Sequence, residues 1–447
     1  SRASSGPVER AASVDFTHRV RFVARQALCG PATVEAVASS PRAGYARGVP
    51  DKTLTPPSPL ESDLRSHWQL APGVTFLNHG SFGAVPRAVA AAQDGWRRRV
   101  EAEPVEMLGR RWPALVAAAR EPVAAFLGVA PSDLGFVSNA TEGVNCVLRS
   151  LALSSDDELL TTTHVYHAVR QAMKFVCARS GATYREVDVP LPVGPADDVT
   201  RAVVAGLRPN TRLLVVDHVT SPTAVVFPVG AIADACAARG VDLLVDGAHA
   251  PGMLPLDLAA LGRRGVTHYA GNLHKWCCGP KGAAFVWARD DRRAAVHPLV
   301  TSHWAGEGFE AEFHWQGTRD HSNWLAAGAA LDFMGQWGGW DRVRGHNHRM
   351  AAWAHAMLCD RFGVEPLTPT DGSMLGSMAT VRLPARLADL TDADQAALQQ
   401  SLYTDHRIEV PLVAWGGGRF LRVSCQVYNE PAEYERLADV VLRLASR

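Results

Sequence analysis

From about residue 75 onward, short runs of β-branched and apolar residues alternate with longer alanine-rich segments of helical periodicity. The strand-like runs lie at residues 159–163, 212–217, 241–245 and 283–287, and helical patterns lie between them, as at residues 165–179 and 232–239. Alternation of elements of these lengths predicts βαβ units, which build a mostly parallel sheet covered by helices on both faces. Because ligands of such sheets bind at the carboxyl ends of the strands, the sequence predicts an α/β fold with its site at that edge.

Changes of composition along the chain predict four segments. They are residues 1–60, an N-terminal extension and linker; residues 61–95, a segment that packs with the small domain; residues 96–332, the large domain; and residues 333–447, a smaller α+β domain. The extension is rich in arginine, poor in acids and ends in a proline-rich run. We expect a peripheral arm or an amphipathic helix there, and a processed targeting leader is the alternative.

Charge and hydropathy exclude several classes of protein. The chain has 447 residues, and 45 basic side chains balance 45 acidic ones, so no positive field is available to hold a nucleic acid. No uncharged apolar stretch is long enough for a membrane span. The 8 cysteines are spread thinly without the spacing of a metal site, which predicts no bound metal, reduced thiols and a cytoplasmic location.

Two polar residues stand out because each follows a strand-like run. Asp246 ends a buried apolar run, where an acid is costly unless a cation compensates it. Lys275 follows another run among Asn, His, Trp and glycines, where a lysine of lowered pKa would serve as a nucleophile. Taken alone, Asp246 could also pair with an arginine or cap the following helix. Together the two residues are what pyridoxal phosphate needs, a lysine to hold its aldehyde as a Schiff base and a carboxylate to keep its ring nitrogen protonated.

Six stretches in a fixed order then carry a family resemblance, which spans about residues 75–430. They are FLNHGSFG at 76–83, SNATEGVN at 138–145, DHVTSPT at 217–223, DGAH at 246–249, NLHKW at 272–276 and GTRD at 317–320. The chain resembles the class V, fold-type I pyridoxal-phosphate enzymes, and most of all their isopenicillin N epimerase-like branch. The resemblance implies pyridoxal 5′-phosphate as cofactor, a large domain built on a mostly parallel sheet, and a smaller α+β C-terminal domain.

For the cofactor phosphate, the resemblance implies a site at a turn that opens a helix. Ala140 and Thr141 occupy this turn, where backbone N–H groups and the helix dipole favour an anion and the Thr141 hydroxyl donates as well. Asn272 and His274 match the family's phosphate-binding side chains, or are structural polar residues. Thr318 resembles a residue that reaches the phosphate of the neighbouring subunit, which implies a homodimer with composite active sites.

Further matches concern the cofactor ring and the substrate. Tyr166 falls where the family stacks an aromatic or histidine ring on the cofactor, and His167 is the alternative. His249 is placed to hydrogen-bond the phenolic oxygen, where relatives often carry glutamine. Arg422 matches the arginine that clamps the substrate carboxylate, and Arg419 is the fallback. Asn78 and His79, in the first matching stretch, are predicted to contact the substrate.

Proton abstraction from Cα by Lys275 is the chemistry that the resemblance implies, on a small-molecule substrate that is an amino acid or an amino-acid-bearing metabolite. Reprotonation on the opposite face, by Tyr166 or His79, gives an epimerase. Loss of a β-substituent gives a C–S β-lyase of the cysteine desulfhydrase or sulfoxide-lyase type, and a transaminase or a secondary-metabolite tailoring enzyme is a further alternative. A catalytically silent, dimeric binding protein of the same fold is the alternative from another class, and the intact set of Asp246, Lys275 and Thr141 argues against it.

The segment before Arg422 bears on the reaction as well. Cysteine desulfurases of this class carry a nucleophilic cysteine shortly before the arginine, whereas residues 410–418 contain none, which argues against persulfide transfer. The three glycines at 416–418 predict a flexible active-site loop.

Overall fold

Three sheets organise the part of the chain that the computed structural model describes, residues 55–446. Their strands are β1 (Thr75–Phe76), β2 (Leu134–Val137), β3 (Glu158–Thr162), β4 (Thr183–Val187), β5 (Thr211–Asp217), β6 (Asp242–Gly247), β7 (His268–Asn272), β8 (Ala284–Ala288), β9 (Met378–Arg382), β10 (Ile408–Glu409), β11 (Leu412–Trp415) and β12 (Gly418–Ser424). The strand-like runs predicted from the sequence correspond to β3, β5, β6 and β8 within a residue or two at each end.

Helices fill most of the segments between the strands. They are α1 (His79–Phe82), α2 (Arg87–Ala102), α3 (Trp112–Leu127), α4 (Ala140–Ser150), α5 (His167–Ser180), α6 (Ala196–Ala205), α7 (Val229–Ala237), α8 (Leu258–Arg264), α9 (Asp290–Arg293), α10 (Phe309–Glu312), α11 (Ser322–Leu325), α12 (Ala327–Gly335), α13 (Trp340–Phe362), α14 (Asp392–Thr404) and α15 (Pro431–Ala445). Glycines in the left-handed region end several of them, as Gly181 does for α5.

The seven-stranded sheet confirms the predicted α/β fold. Its order is β2-β8-β7-β6-β5-β3-β4, and every neighbouring pair from β7 to β4 is parallel, whereas β8 runs antiparallel to β7 and β2. Successive side chains of a strand point to opposite faces, so Leu243 and Val245 pack into one core and Leu244 into the other. Helices cover both faces, and β6 is buried along its whole length.

A smaller antiparallel sheet lies in the C-terminal part of the chain, in the order β11-β12-β9. It shares an apolar core with α13 and α15, in which Leu421, Trp353 and Leu437 pack together. Strand β1 pairs in parallel with β10, which joins the segment after residue 60 to this C-terminal part. The boundaries at residues 95 and 332 stay predictions.

The three glycines at 416–418 do not form the flexible loop predicted from the sequence. Gly416 and Gly417, with φ of 53° and 77°, make the two-residue turn of a hairpin in which Trp415 pairs with Gly418. Two successive positive φ values fit the tight turns that join twisted antiparallel strands, and glycine adopts them without strain. The indole of Trp415 donates to the carbonyl of Thr163 at 3.2 Å and ties the hairpin to the segment before α5.

The helices and the metal-binding side-chain types of residues 55–446 bear on the predictions about membranes and metals. No helix in this range has the length and the apolar content that crossing a bilayer requires. The same residues contain no group of three His, Cys, Asp or Glu side chains arranged to hold a metal ion. Most of the predicted extension, up to residue 54, lies outside the described residues.

Candidate active site

A cavity of about 510 Å³ opens where β5, β6 and β7 end, beside the first turn of α4. This is the edge at which the sequence predicts the site. Most of the residues singled out from the sequence line it, namely Ala140, Thr141, Tyr166, Asp246, His249, Asn272, His274 and Lys275. The fold therefore gathers residues that lie more than 100 positions apart in the chain.

Asp246 is a buried acid at the floor of the cavity, the part of the site that Asp217, Asp246, His249 and Lys275 form. It lies near the end of β6, is 3% exposed, and accepts a 2.9 Å hydrogen bond from the backbone N–H of Ala248. Burial raises the pKa of Asp246, while the Ala248 N–H and the charge of Lys275 oppose that rise. Within the described residues no arginine pairs with Asp246, so this carboxyl remains available to a cationic ligand atom.

Asp217 is a second floor acid, which the sequence reasoning missed. It ends β5 in register with Asp246 on β6, so both carboxyls emerge on the same face of the sheet. Burial and then the charge of Asp246 raise the pKa of Asp217 well above its usual value, which favours the protonated form of this carboxyl. Its Oδ1 atom is buried without a hydrogen-bond partner in the described structure. The sequence contains a pattern that could have indicated Asp217, because residues 212–217, like the run before Asp246, form an apolar run that ends in an acid.

Lys275 lies across the floor from these acids, three residues after the end of β7. Removal from water and the charge of Arg422 lower the pKa of Lys275 to about 7, against the opposing charges of Asp246 and Asp217. A large share of this amine is therefore neutral near pH 7, as a nucleophile or base requires. Its Nζ atom lies 3.1 Å from Nε2 of His249.

The anion-binding end of the cavity is built around the start of α4. Asn139 caps the helix, because its Oδ1 accepts from the N–H of Glu142 at 2.9 Å. The N–H of Ala140 does not point free into the cavity but donates to Oδ1 of Asn272 at 2.8 Å. Asn272 thus fixes the end of β7 to the helix N-terminus, and the Thr141 hydroxyl stays beside it on the cavity wall.

His274 and Lys281 complete that end. Nδ1 of His274 donates to the carbonyl of Ala283 at 3.3 Å, and burial lowers the His274 pKa to about 4. Lys281, which the sequence reasoning did not single out, also lines the cavity and donates to the carbonyl of Gly83. A neutral imidazole and a lysine therefore flank the helix terminus.

Arg422 lies one side chain away from the cavity. Its guanidinium donates to Ser81 Oγ at 3.1 Å and to Ser221 Oγ at 3.2 Å, and both serines line the cavity wall. Its Nε atom is buried without a partner in the described structure, and burial lowers the pKa of Arg422 to about 10. The fallback Arg419 instead donates to the Leu390 carbonyl at 2.7 Å and contacts Asp392.

Besides Arg422, three predicted residues do not line the cavity of this chain. Asn78 donates to Glu409 at 2.9 Å, and the buried His79 bridges the Tyr428 hydroxyl at 2.7 Å and the Lys275 carbonyl at 3.0 Å. Both nitrogens of the His79 ring are thus occupied within the protein, because the short helix α1 turns the ring inward. Thr318 is exposed and does not line the cavity.

The fold and the site define a pyridoxal-phosphate enzyme of fold type I. The residues present fit this cofactor, because a buried acid and a lysine of lowered pKa face a helix N-terminus across one cavity. The chain belongs to the aminotransferase class-V family, whose model matches residues 83–437.

Curated relatives match most of the chain. The isopenicillin N epimerase of Amycolatopsis lactamdurans is 35% identical over 403 residues, 86% of this chain and 98% of the relative. The putative L-cysteine desulfhydrase 1 of Oryza sativa subsp. japonica is 33% identical over 410 residues, 84% of each chain. The chain is therefore similar to epimerases and to C–S lyases of one family.

A solved structure supports the fold. The cystine C–S lyase C-DES, in complex with its reaction product cysteine persulfide, superimposes with a TM-score of 0.70 at 23% identity. The match covers 84% of this chain and 98% of that chain. At this level of identity the likeness shows the shared fold.

Proposed function

We propose that this enzyme takes the Cα proton from an amino acid or an amino-acid-bearing metabolite and returns it on the opposite face. The single observation that carries the proposal is Lys275, a lysine with a pKa of about 7 at the floor of the cavity. A neutral amine beside a buried acid is the pairing that proton abstraction from carbon requires.

Pyridoxal phosphate would be held at both ends of the cavity. The start of α4 with Thr141, Asn272 and His274 would bind its phosphate, Tyr166 would cover its ring, and His249 would donate to its phenolic oxygen. When bound, the cofactor supplies an aldehyde that accepts the substrate amine and a ring that takes up the electrons freed at Cα.

Each protein group then has one task. Arg422 binds the substrate carboxylate through its unpartnered Nε and orients the Cα–H bond towards Lys275. The neutral amine of Lys275 removes that proton, and Asp246 stabilises the change by holding a proton at the ring nitrogen. The raised pKa of the neighbouring Asp217 favours its protonated form, which reduces the negative charge of the floor.

Epimerisation also needs a proton donor on the face away from Lys275. Tyr166 supplies a hydroxyl there in the proposal, because it lines the cavity and is 43% exposed, so that bulk water can restore its proton. His79 is replaced in this role, since both of its ring nitrogens are bound to Tyr428 and to Lys275.

β-Elimination is the second candidate. It is favoured by the names of the plant relatives, which include the L-cysteine desulfhydrase of Arabidopsis thaliana at 30% identity. The same lysine would remove the Cα proton, and the bond from Cβ to sulfur would break with transfer of a proton to the leaving sulfur. The unsaturated amino acid that remains would be hydrolysed by water to a keto acid and ammonia.

The assembly and the compartment belong to the proposal as well. We place Thr318 at the phosphate of a partner subunit, because it is exposed and lies outside the cavity of its own chain. A cytoplasmic location agrees with the seven free, buried cysteines of residues 55–446, which a reducing compartment maintains.

Proton NMR in heavy water tests the reaction. The cofactor-loaded enzyme is incubated with a panel of L-amino acids and thioether-bearing analogues, while the α-proton and any new keto acid are followed together. Loss of the α-proton signal with an intact carbon skeleton supports epimerisation, and release of pyruvate supports elimination. Retention of every α-proton, by an enzyme that binds the cofactor and the substrate, would refute proton abstraction.

A further inference from the structure

His249 touches two groups that fix where its single proton lies. The ring is 2% exposed, and burial together with the charges of Lys275, Arg422 and His274 holds the pKa of His249 well below its usual value. The imidazole is therefore neutral, with one N–H and one bare nitrogen. Which nitrogen carries the proton decides what His249 offers to the cavity.

The indole of Trp276 determines which nitrogen of His249 carries the proton. Its Nε1–H donates to Nδ1 of His249 at 3.4 Å, and an indole nitrogen has no capacity to accept. Nδ1 must therefore be the bare nitrogen, which leaves the proton on Nε2. The other tautomer would set two N–H groups against each other in a buried place.

Nε2 is the nitrogen that faces the reacting lysine, 3.1 Å from Nζ of Lys275. With a proton on Nε2, His249 donates towards this amine, and the amine must be neutral to accept. An ammonium at Lys275 would place donor against donor, so the tautomer adds to the causes that keep Lys275 a base.

The packing around Trp276 holds its indole in the position from which it donates to Nδ1 of His249. Trp276 is 1% exposed and packs among Met253 and Met378, with its ring centroid 5.1 Å from that of His79. Gly252, at φ of 81°, passes so close that a Cβ there would lie 2.6 Å from the Trp276 carbonyl carbon. A side chain at residue 252 would displace the tryptophan.

We propose that Trp276 is a positioning residue that fixes the tautomer of His249, so that Nε2–H always faces Lys275 and the phenolic oxygen of the cofactor. This rests on the proposed function for the cofactor contact, but the tautomer itself is a property of the cofactor-free protein. It also explains how histidine can stand where a glutamine side chain would present an N–H: the indole gives the imidazole the same fixed donor.

The first test is nitrogen NMR of the cofactor-free protein labelled with ¹⁵N-histidine. The signals of His249 are assigned by their loss in His249→Gln. We expect a protonated Nε2 and a bare Nδ1 in the native protein, and a mixture of both tautomers in Trp276→Phe, which keeps an aromatic ring and removes the indole N–H. A proton on Nδ1 of the native protein, or an unchanged spectrum in the variant, overturns the proposal.

The second test is a double-mutant cycle on the loaded enzyme. Trp276→Phe should reduce turnover about tenfold, the lower end of the losses seen when the group that orients a site histidine is removed. In the His249→Gln background the same substitution should have little further effect, because an amide N–H needs no tautomer to be fixed. Equal losses in both backgrounds would mean that Trp276 only packs, and would overturn the proposal.

The two tests separate this inference from the reaction proposed above. If the loaded enzyme exchanged no α-proton on any substrate, the proposed function would fail while the NMR of the cofactor-free protein still decided the tautomer. If exchange occurred and the native His249 carried its proton on Nδ1, the role of Trp276 alone would be wrong.

Discussion

The two ends of the cavity are built by different physical means. The floor, defined as Asp217, Asp246, His249 and Lys275, consists of ionisable side chains whose pKa values shift because they are withdrawn from water. The anion-binding end, defined as Ala140, Thr141, Asn272, His274 and Lys281, relies on a helix N-terminus, neutral donors and one lysine. Charge therefore controls the proposed chemistry at the floor, whereas the geometry of backbone and side-chain donors controls the affinity for the cofactor phosphate at the other end.

Substitution of Lys275 should have the largest effect of all. Lys275→Ala removes the proposed base and the amine that binds the cofactor, so turnover should fall below detection in the proton-exchange assay. The matched control is Lys174→Ala, because that lysine is exposed, does not line the cavity and lies over the ring of Tyr184, with Nζ 5.2 Å from the ring centroid. Equal activity of the two variants would contradict the assignment of the floor.

Asp246→Asn should have the second-largest effect on turnover. The substitution keeps the size of the side chain and removes the charge that holds a proton at the ring nitrogen, so kcat should fall by more than about 100-fold. The cofactor should still bind, which its visible absorbance would report. A kcat within a few-fold of native would show that Asp246 is only a structural acid.

Arg422→Ala should mainly raise KM, because it removes a charge-assisted contact with the substrate carboxylate. The expected rise is about 10- to 100-fold, the size of one or two such hydrogen bonds. Arg422→Lys keeps the charge and serves as a second variant if the alanine protein folds poorly. Arg419→Ala is the control, since Arg419 is engaged with Leu390 and Asp392. A fall in kcat alone would contradict the carboxylate role.

Asn272→Ala should weaken cofactor binding without changing the chemistry at the floor. It removes the 2.8 Å hydrogen bond to the Ala140 N–H, so the dissociation constant of the cofactor should rise about tenfold. At saturating cofactor kcat should recover, because no floor charge has changed. Equilibrium titration by cofactor fluorescence measures the dissociation constant. A kcat that stayed low at saturating cofactor would show that Asn272 takes part in the chemistry.

Asp217→Asn should have the smallest effect on turnover. If Asp217 keeps its proton, an amide replaces one neutral group by another, and kcat should change by less than about threefold. A loss as large as that of Asp246→Asn would show that Asp217 is ionised in the working enzyme.

Much of this organisation was predictable from local sequence. The alternation of periodicities gave the sheet and its helices, and an apolar run that ends in an acid marked Asp246. Contacts between distant segments were not predictable in this way. Asp217, Trp276 and Lys281 contact Asp246, His249 and Gly83, which lie in distant segments of the chain, so no local pattern indicated these contacts. His79 was misplaced because a four-residue helix, α1, turns its ring towards Tyr428.

One experiment tests the central claim, that the floor lysine holds the cofactor and performs the chemistry. The cofactor-loaded protein is reduced with borohydride and digested, and its peptides are mapped by mass spectrometry. We expect the reduced cofactor adduct on Lys275, whose pKa is about 7. An adduct on Lys281, the other lysine that lines the cavity, or on neither lysine, would contradict the claim.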